Sequence, residues 1–94
     1  MLSKENAIDI ASNYVKEKSV KYELVLLTDK TIEFELGWVF FYQSLKYIES
    51  GDYRDRLTGN APIIVNKFNG SITVTGTAYP VQRYIDDYLK AQKE

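Results

Sequence analysis

The five residues Trp38-Val39-Phe40-Phe41-Tyr42 constrain the fold more than any other stretch of this chain. They read as a strand, and in a strand successive side chains point to opposite faces. An unbroken apolar run therefore puts bulky groups on both faces of whatever sheet it enters. Two settings satisfy it: a central strand covered on both sides, or a strand at an interface that a partner covers. The rest of the sequence has to supply the cover.

Two amphipathic helices are available for that purpose, one at each end. In SKENAIDIASNYVKEK, residues Ala7, Ile10, Ala11 and Tyr14 recur at helical spacing, and Ile8 and Val15 widen the stripe. Ser3 suits the N-cap and Glu5 the first turn, while Lys16 and Lys18 suit the last. In YPVQRYIDDYLKAQKE, Pro80 fits the first turn, and Val81, Tyr84, Ile85, Tyr88 and Leu89 form the apolar stripe, with the residues from Lys90 onward expected to fray.

Between the helices the sequence reads as strands. VKYELVLL alternates Val20, Tyr22, Leu24 and Leu26 against Lys21, Glu23 and Val25, and TIEFEL alternates Ile32, Phe34 and Leu36 against Glu33 and Glu35. Gly37 is expected to mark a bend or bulge where this half-exposed strand gives way to the buried one. PIIVNK and SITVTGT form a hairpin around Asn69-Gly70, a dipeptide that tolerates positive φ. The long irregular segment, residues 49–61, is polar and suits a short helical turn capped by Asp52, with Gly51 giving backbone freedom before it.

Strand follows strand without an intervening helix, so the sheet is antiparallel. The expected fold is α+β, a sheet of four to five strands with an N-terminal and a C-terminal helix packed on one face, in a single domain over residues 1–94. With both helices on one face, the other is covered by the long loop or a partner, or is left as an aromatic patch.

Composition narrows the chemistry. The chain has no cysteine and no histidine, which removes thiolate and imidazole catalysis, the common zinc sites and a histidine pH switch. Twelve basic against thirteen acidic residues leave a net charge of −1, without the basic cluster of a nucleic-acid binder. The start is charged and helix-like, not the apolar run of a signal peptide, and no segment approaches the roughly 18 apolar residues of a membrane span. A cytoplasmic protein without nucleic-acid or membrane partners is expected.

Few constellations suggest a reaction. Glu33 with Glu35, and Asp86 with Asp87, are the candidate carboxylate pairs, but no nucleophile or metal site accompanies them and each fits a solvated face. Asp52 and Asp55 lack the register of a calcium loop. No phosphate-binding loop surrounds Gly59, so no cofactor is expected. Pro62 belongs at the start of a strand, and Asn60 either braces the corner before it or is displayed to a partner. Eight tyrosines, four phenylalanines and one tryptophan are more rings than so small a core needs, which leaves a ring-packed core and an aromatic interface both open.

GWVFFYQSLKYIESGD, then L-x-GNAPIIV, NG-x-I, TGTA-x-P and YI-x-x-Y, in this order over about residues 30–90, resemble the immunity protein 35 family, also called YrhB-like. The N-terminal third matches only in pattern. The resemblance implies a small non-catalytic cytoplasmic α+β protein that binds and neutralises a cognate toxin domain of a bacterial polymorphic toxin system. One member is described as a heat-shock-related chaperone, which gives the alternative of binding unfolded clients. The motif positions that carry over are Gly37, Trp38, Gly51, Asp52, Gly59, Asn60, Pro62, Gly76 and Thr77. Backbone geometry explains the glycines and Pro62, packing explains Trp38, and the family supplies no catalytic residue to transfer.

For toxin binding the expected anchors are Tyr42, Tyr47 and Tyr53 with the loop holding Asp52 and Asn60, and Glu33, Glu35, Asp86 and Asp87 as a steering rim. A chaperone would use the two-faced aromatic strand, and an enzyme would gather the carboxylates in a cleft. A homodimer through a sheet edge is left open.

Overall fold

The computed structural model describes residues 1–19, 23–56 and 60–92. Helix α1 spans Lys4–Lys18 and helix α3, at the other end, Val81–Gln92. Strands β1 (Leu24–Leu26), β2 (Ile32–Phe34), β3 (Gly37–Phe40) and β4 (Tyr42–Ser44) are followed by a short helix α2 (Leu45–Ser50). Strands β5 (Ile63–Asn66) and β6 (Ile72–Val74) precede α3. The first expected strand is observed only as β1, and its residues 20–22 lie outside the described residues, as do residues 57–59, with Gly59, and residues 93–94.

Four strands form one antiparallel sheet in the order β2-β3-β5-β6, and β1 pairs with β4 in a two-stranded ribbon. The ribbon continues the sheet. The extended chain runs from β3 through Phe41 into β4, while a 3-10 turn at Thr28–Lys30 separates β1 from β2 on the opposite side. This is the expected α+β class.

The helices differ from expectation in one respect: they lie on opposite faces. Trp38, Phe40, Ile63 and Val65 point to the side covered by Ala7 and Ala11 of α1. Val39 and Ile64, one residue out of phase, point to the side covered by Ile85 and Tyr88 of α3. The alternation of β3 and β5 thus needs two covers, and each terminal stripe supplies one. Phe40, Val39 and Ile63 are fully buried. Truncating such a side chain to alanine costs about 2–5 kcal/mol, a large share of the roughly 5–15 kcal/mol by which a domain of this size is stable.

Local signals explain most element ends. Ser3 caps α1 by accepting the Asn6 amide at 3.1 Å, and Asn6 returns the bond to the Ser3 amide at 3.3 Å. Gly37 opens β3 and is not a bend. The chain reverses at Glu35-Leu36, and a Cβ at position 37 would run into the Val65 carbonyl oxygen of the neighbouring strand. The β5–β6 turn is longer than a two-residue hairpin. Asn66 Oδ1 accepts the amides of Phe68 and Asn69, and Gly70 alone takes a positive φ, 73°, to re-enter the ladder. The same Asn66 donates Nδ2 to the Tyr88 hydroxyl at 2.9 Å, tying the turn to α3.

At the other motif positions, Trp38 lies in the core and Pro62 immediately precedes β5. Pro80 immediately precedes α3, with its carbonyl accepting the Arg83 amide at 3.0 Å. Gly76 leaves room for the Tyr84 hydroxyl, which accepts the amides of Ala78 and Tyr79 at 3.1 and 3.2 Å, and Thr77 is exposed in that bend.

Candidate binding surface

The segment after β4 folds into a knob held by its own side chains. Ser44, buried at the end of β4, uses its hydroxyl twice: Oγ accepts the Tyr47 amide at 3.1 Å, capping α2, and donates to the Asp55 carbonyl at 2.7 Å. Helix α2 ends at Gly51 with a positive φ of 69°, the left-handed stop that glycine adopts without strain. Asp52 then caps a 3-10 turn over Tyr53–Asp55 by accepting the Arg54 amide at 2.9 Å. Ser50 Oγ donates to the Asp55 carboxylate at 2.9 Å, and the Asp52 amide donates to Ser50 Oγ at 3.0 Å. Asn60 Nδ2 donates to the Tyr42 carbonyl at 2.6 Å and pins the far end of the loop to β4.

This frame presents Tyr53, whose side chain is 73% exposed, with Ile48 exposed on α2 nearby in sequence. The Arg56 guanidinium lies 5.4 Å from the Tyr53 ring and donates Nη1 to its hydroxyl at 2.9 Å. Arg54 donates Nε and Nη2 to the Asp52 carboxylate at 3.1 and 2.7 Å, which holds the Asp52 carboxyl below the usual aspartate range. Lys46 reaches Asp55 at 3.6 Å. A tyrosine held against one arginine, on a side-chain-braced backbone, would lose little conformational freedom on contact with a partner. The expected site names Tyr53, Tyr47, Asp52 and Asn60 but omits Lys46, Arg54 and Arg56. The interleaved run Tyr53-Arg54-Asp55-Arg56 is the sequence signal for the two arginines.

The other expected positions do not join this knob as surface groups. Tyr42 is buried, only 7% exposed, and burial pushes its hydroxyl pKa up, with the Lys18 charge acting the other way. It therefore belongs to the packing and not to the exposed anchors. Tyr47 is half-buried, while Asp52 and Asn60 act chiefly as braces. Glu33 is exposed on the edge strand β2 and pairs with Lys67 at 3.5 Å, and Glu35 is exposed in the adjoining turn.

Asp86 and Asp87 lie on the outer side of α3, where Asp86 accepts Gln82 Nε2 at 3.0 Å and Asp87 pairs with Arg83 at 3.5 Å. The four carboxylates thus lie in two separate places, the β2 edge with its adjoining turn and the outer side of α3, and Glu33, Asp86 and Asp87 each keep a local partner. None of them lines the cleft of about 330 Å³ between α1 and β1, which is bordered by Val15, Lys16, Glu23 and Leu24. Among the described residues no three acidic side chains gather closely enough to hold a metal ion, and no helix is long and apolar enough to cross a membrane. The aromatic strand that a client-binding chaperone would use is sealed between the two helices, with Trp38 and Phe40 at 4% and 0% exposure.

Two comparisons bear on the whole chain. The family model described as Immunity protein 35 matches residues 5–87. The uncharacterized protein YrhB of Escherichia coli (strain K12) is 33% identical over 88 residues, covering 94% of this chain and 89% of that protein. No solved structure matches.

Proposed function

We propose that this chain, which belongs to the immunity protein 35 family, is a cytoplasmic, non-catalytic immunity protein that binds a cognate toxin domain of a bacterial polymorphic toxin system and blocks its action. The observation that carries the reading is the self-braced loop from Ser44 to Arg56, which holds an exposed Tyr53 against Arg56 on a frame fixed by side-chain-to-backbone bonds. Tyrosine and arginine are the residues that interfaces favour as anchors. A stable complex of standard size covers about 800 Å² on each partner, against a total surface of 6231 Å² here. The knob is then the centre of a larger contact.

A domain of one-to-one binding also suits a charge of −1, which is too small to imitate a nucleic acid. The client-binding alternative has less to support it, because the apolar strand it requires is covered on both faces.

The test is to find a polymorphic toxin gene beside this one and co-express its toxin domain with this chain, reading growth and co-purification. Rescue of growth together with a stoichiometric complex is the expected result. Failure of both, with the toxin active and the chain folded, overturns the proposal.

A further inference from the structure

Among the described residues, the sheet order β2-β3-β5-β6 leaves β2 and β6 as the two edges of the four-stranded sheet. Proteins usually guard such edges with charge, because a row of free amides and carbonyls otherwise recruits another strand. The β2 edge is guarded in this way by exposed Glu33, with Glu35 beside it. The β6 edge is not: from Gly70 to Gln82 the sequence contains no charged residue.

Among the described residues, the register shows which groups lack a strand partner. Ile64 pairs with Thr73, the Asn66 amide donates to the Ser71 carbonyl, and the Thr75 amide donates to the Pro62 carbonyl. Ser71, Thr73 and Thr75 therefore direct their backbone groups inward to β5, and Ile72 and Val74 direct theirs outward. Thr73 is exposed, and Val74 is 53% exposed.

We infer that β6 is the site at which two copies of this chain pair, antiparallel, about a two-fold axis at Thr73. In that arrangement Ile72 of each copy exchanges both backbone bonds with Val74 of the other, and the two sheets become one. The occupant is a second copy because the edge is complementary to itself. A neutral strand opposite its own image brings no like charges together, whereas β2 paired with itself about Phe34 would set Glu33 of each copy against Glu35 of the other. The chain bends at both ends of this strand, with Phe68 in the turn before β6 and Tyr79 in the bend after it. Phe68 and Tyr79 are, like Val74, among the most exposed large apolar side chains of the described residues. A two-fold axis at Thr73 brings the Phe68 end of one copy toward the Tyr79 end of the other. The inference does not depend on toxin binding.

The test is the mass of the full chain by sedimentation equilibrium from micromolar to millimolar concentration. A shift from one chain to two is expected for the natural sequence. Val74→Pro removes an outward amide and leaves the bonds to β5 in place, so it is expected to weaken pairing by about tenfold or more. Thr73→Lys and Thr73→Glu, at an exposed position, are each expected to weaken it several-fold with unchanged melting, and an equimolar mixture of the two is expected to restore the two-chain mass. A natural chain that keeps the one-chain mass at millimolar concentration overturns the inference. So does pairing indifferent to both Thr73 substitutions. If the natural chain is monomeric and Thr73→Lys instead abolishes capture of a toxin, the inference is likewise overturned, and the edge belongs to the toxin.

Discussion

The side-chain amide of Asn60 donates to the main-chain carbonyl of Tyr42 across 2.6 Å. Pairing with β1 has already turned the Phe41 carbonyl toward Leu27, so the Tyr42 carbonyl faces the side of β4 where, among the described residues, no further strand pairs. Asn60 substitutes for the missing strand at that point. One side chain thus satisfies a half-buried edge and fixes the end of the loop that displays Tyr53.

Replacing Asn60 by alanine leaves the Tyr42 carbonyl without this donor, at an expected cost of about 1–3 kcal/mol. Asn60→Asp is expected to cost at least as much, because a carboxylate then faces a carbonyl oxygen and has no proton to offer. Urea unfolding of the two variants measures the loss. Stability equal to that of the natural chain would show that the bond is dispensable.

The Tyr84 hydroxyl occupies space that only a glycine at position 76 leaves open, 2.6 Å from where a Cβ would stand. Tyr84→Phe removes an acceptor for two amides and is expected to cost about 1–2 kcal/mol. Gly76→Ala is expected to cost a similar amount by displacing that hydroxyl. Because both changes act on one oxygen, the double variant is expected to lose less than the two single losses combined. Thermal melting is a sensitive readout, since each kcal/mol shifts the midpoint by about 4–8 °C in a chain of this length.

The features legible in the sequence are those decided by near neighbours. Ser3 and Asp52 are caps in the sequence and caps in the structure, and the α3 stripe from Val81 to Leu89 faces the sheet as its spacing requires. The face each helix takes is not local. Helical periodicity says that a stripe is buried but not against which side of a sheet, so the expectation of both helices on one face differs from the opposite faces they take. Helix α2 was hidden for another reason: Leu45, Tyr47 and Ile48 continue an apolar strand pattern, and a run this short fits either period. In the candidate site, Tyr53 is legible as a loop aromatic. Tyr42 is not, because its burial is decided by tertiary packing around β4 and not by its neighbours in sequence.

The Asp52 carboxyl titrates below the ordinary aspartate value because Arg54 donates to it from both side chain and backbone. Its folded pKa is therefore lower than its unfolded one. The stabilisation is fully present above the unfolded value and disappears as pH falls through the folded value. Asp52→Asn keeps a cap acceptor but removes the charge. The melting difference between the natural chain and this variant is expected to be small at neutral pH, to shrink with added salt, and to vanish in acid below the native Asp52 pKa. A carbon-detected NMR titration reads that pKa directly, and a midpoint at or above the ordinary value would contradict the pairing.

Tyr53 offers the sharpest separation of binding from folding. Its ring is largely exposed, and its contacts with Arg56 are themselves at the surface, so Tyr53→Ala is expected to change unfolding free energy by no more than about 0.5 kcal/mol. As a central anchor it is expected to cost about 2 kcal/mol or more of toxin affinity, roughly thirty-fold in Kd, together with loss of growth protection. Asp9→Ala, at an exposed position of α1 outside the expected binding positions, is the matching surface control and is expected to alter neither quantity. Calorimetric titration of each variant with the purified toxin domain separates the cases. Equal affinity for Tyr53→Ala and the natural chain would move the contact away from the knob, whereas a loss confined to Tyr53→Ala would centre it there.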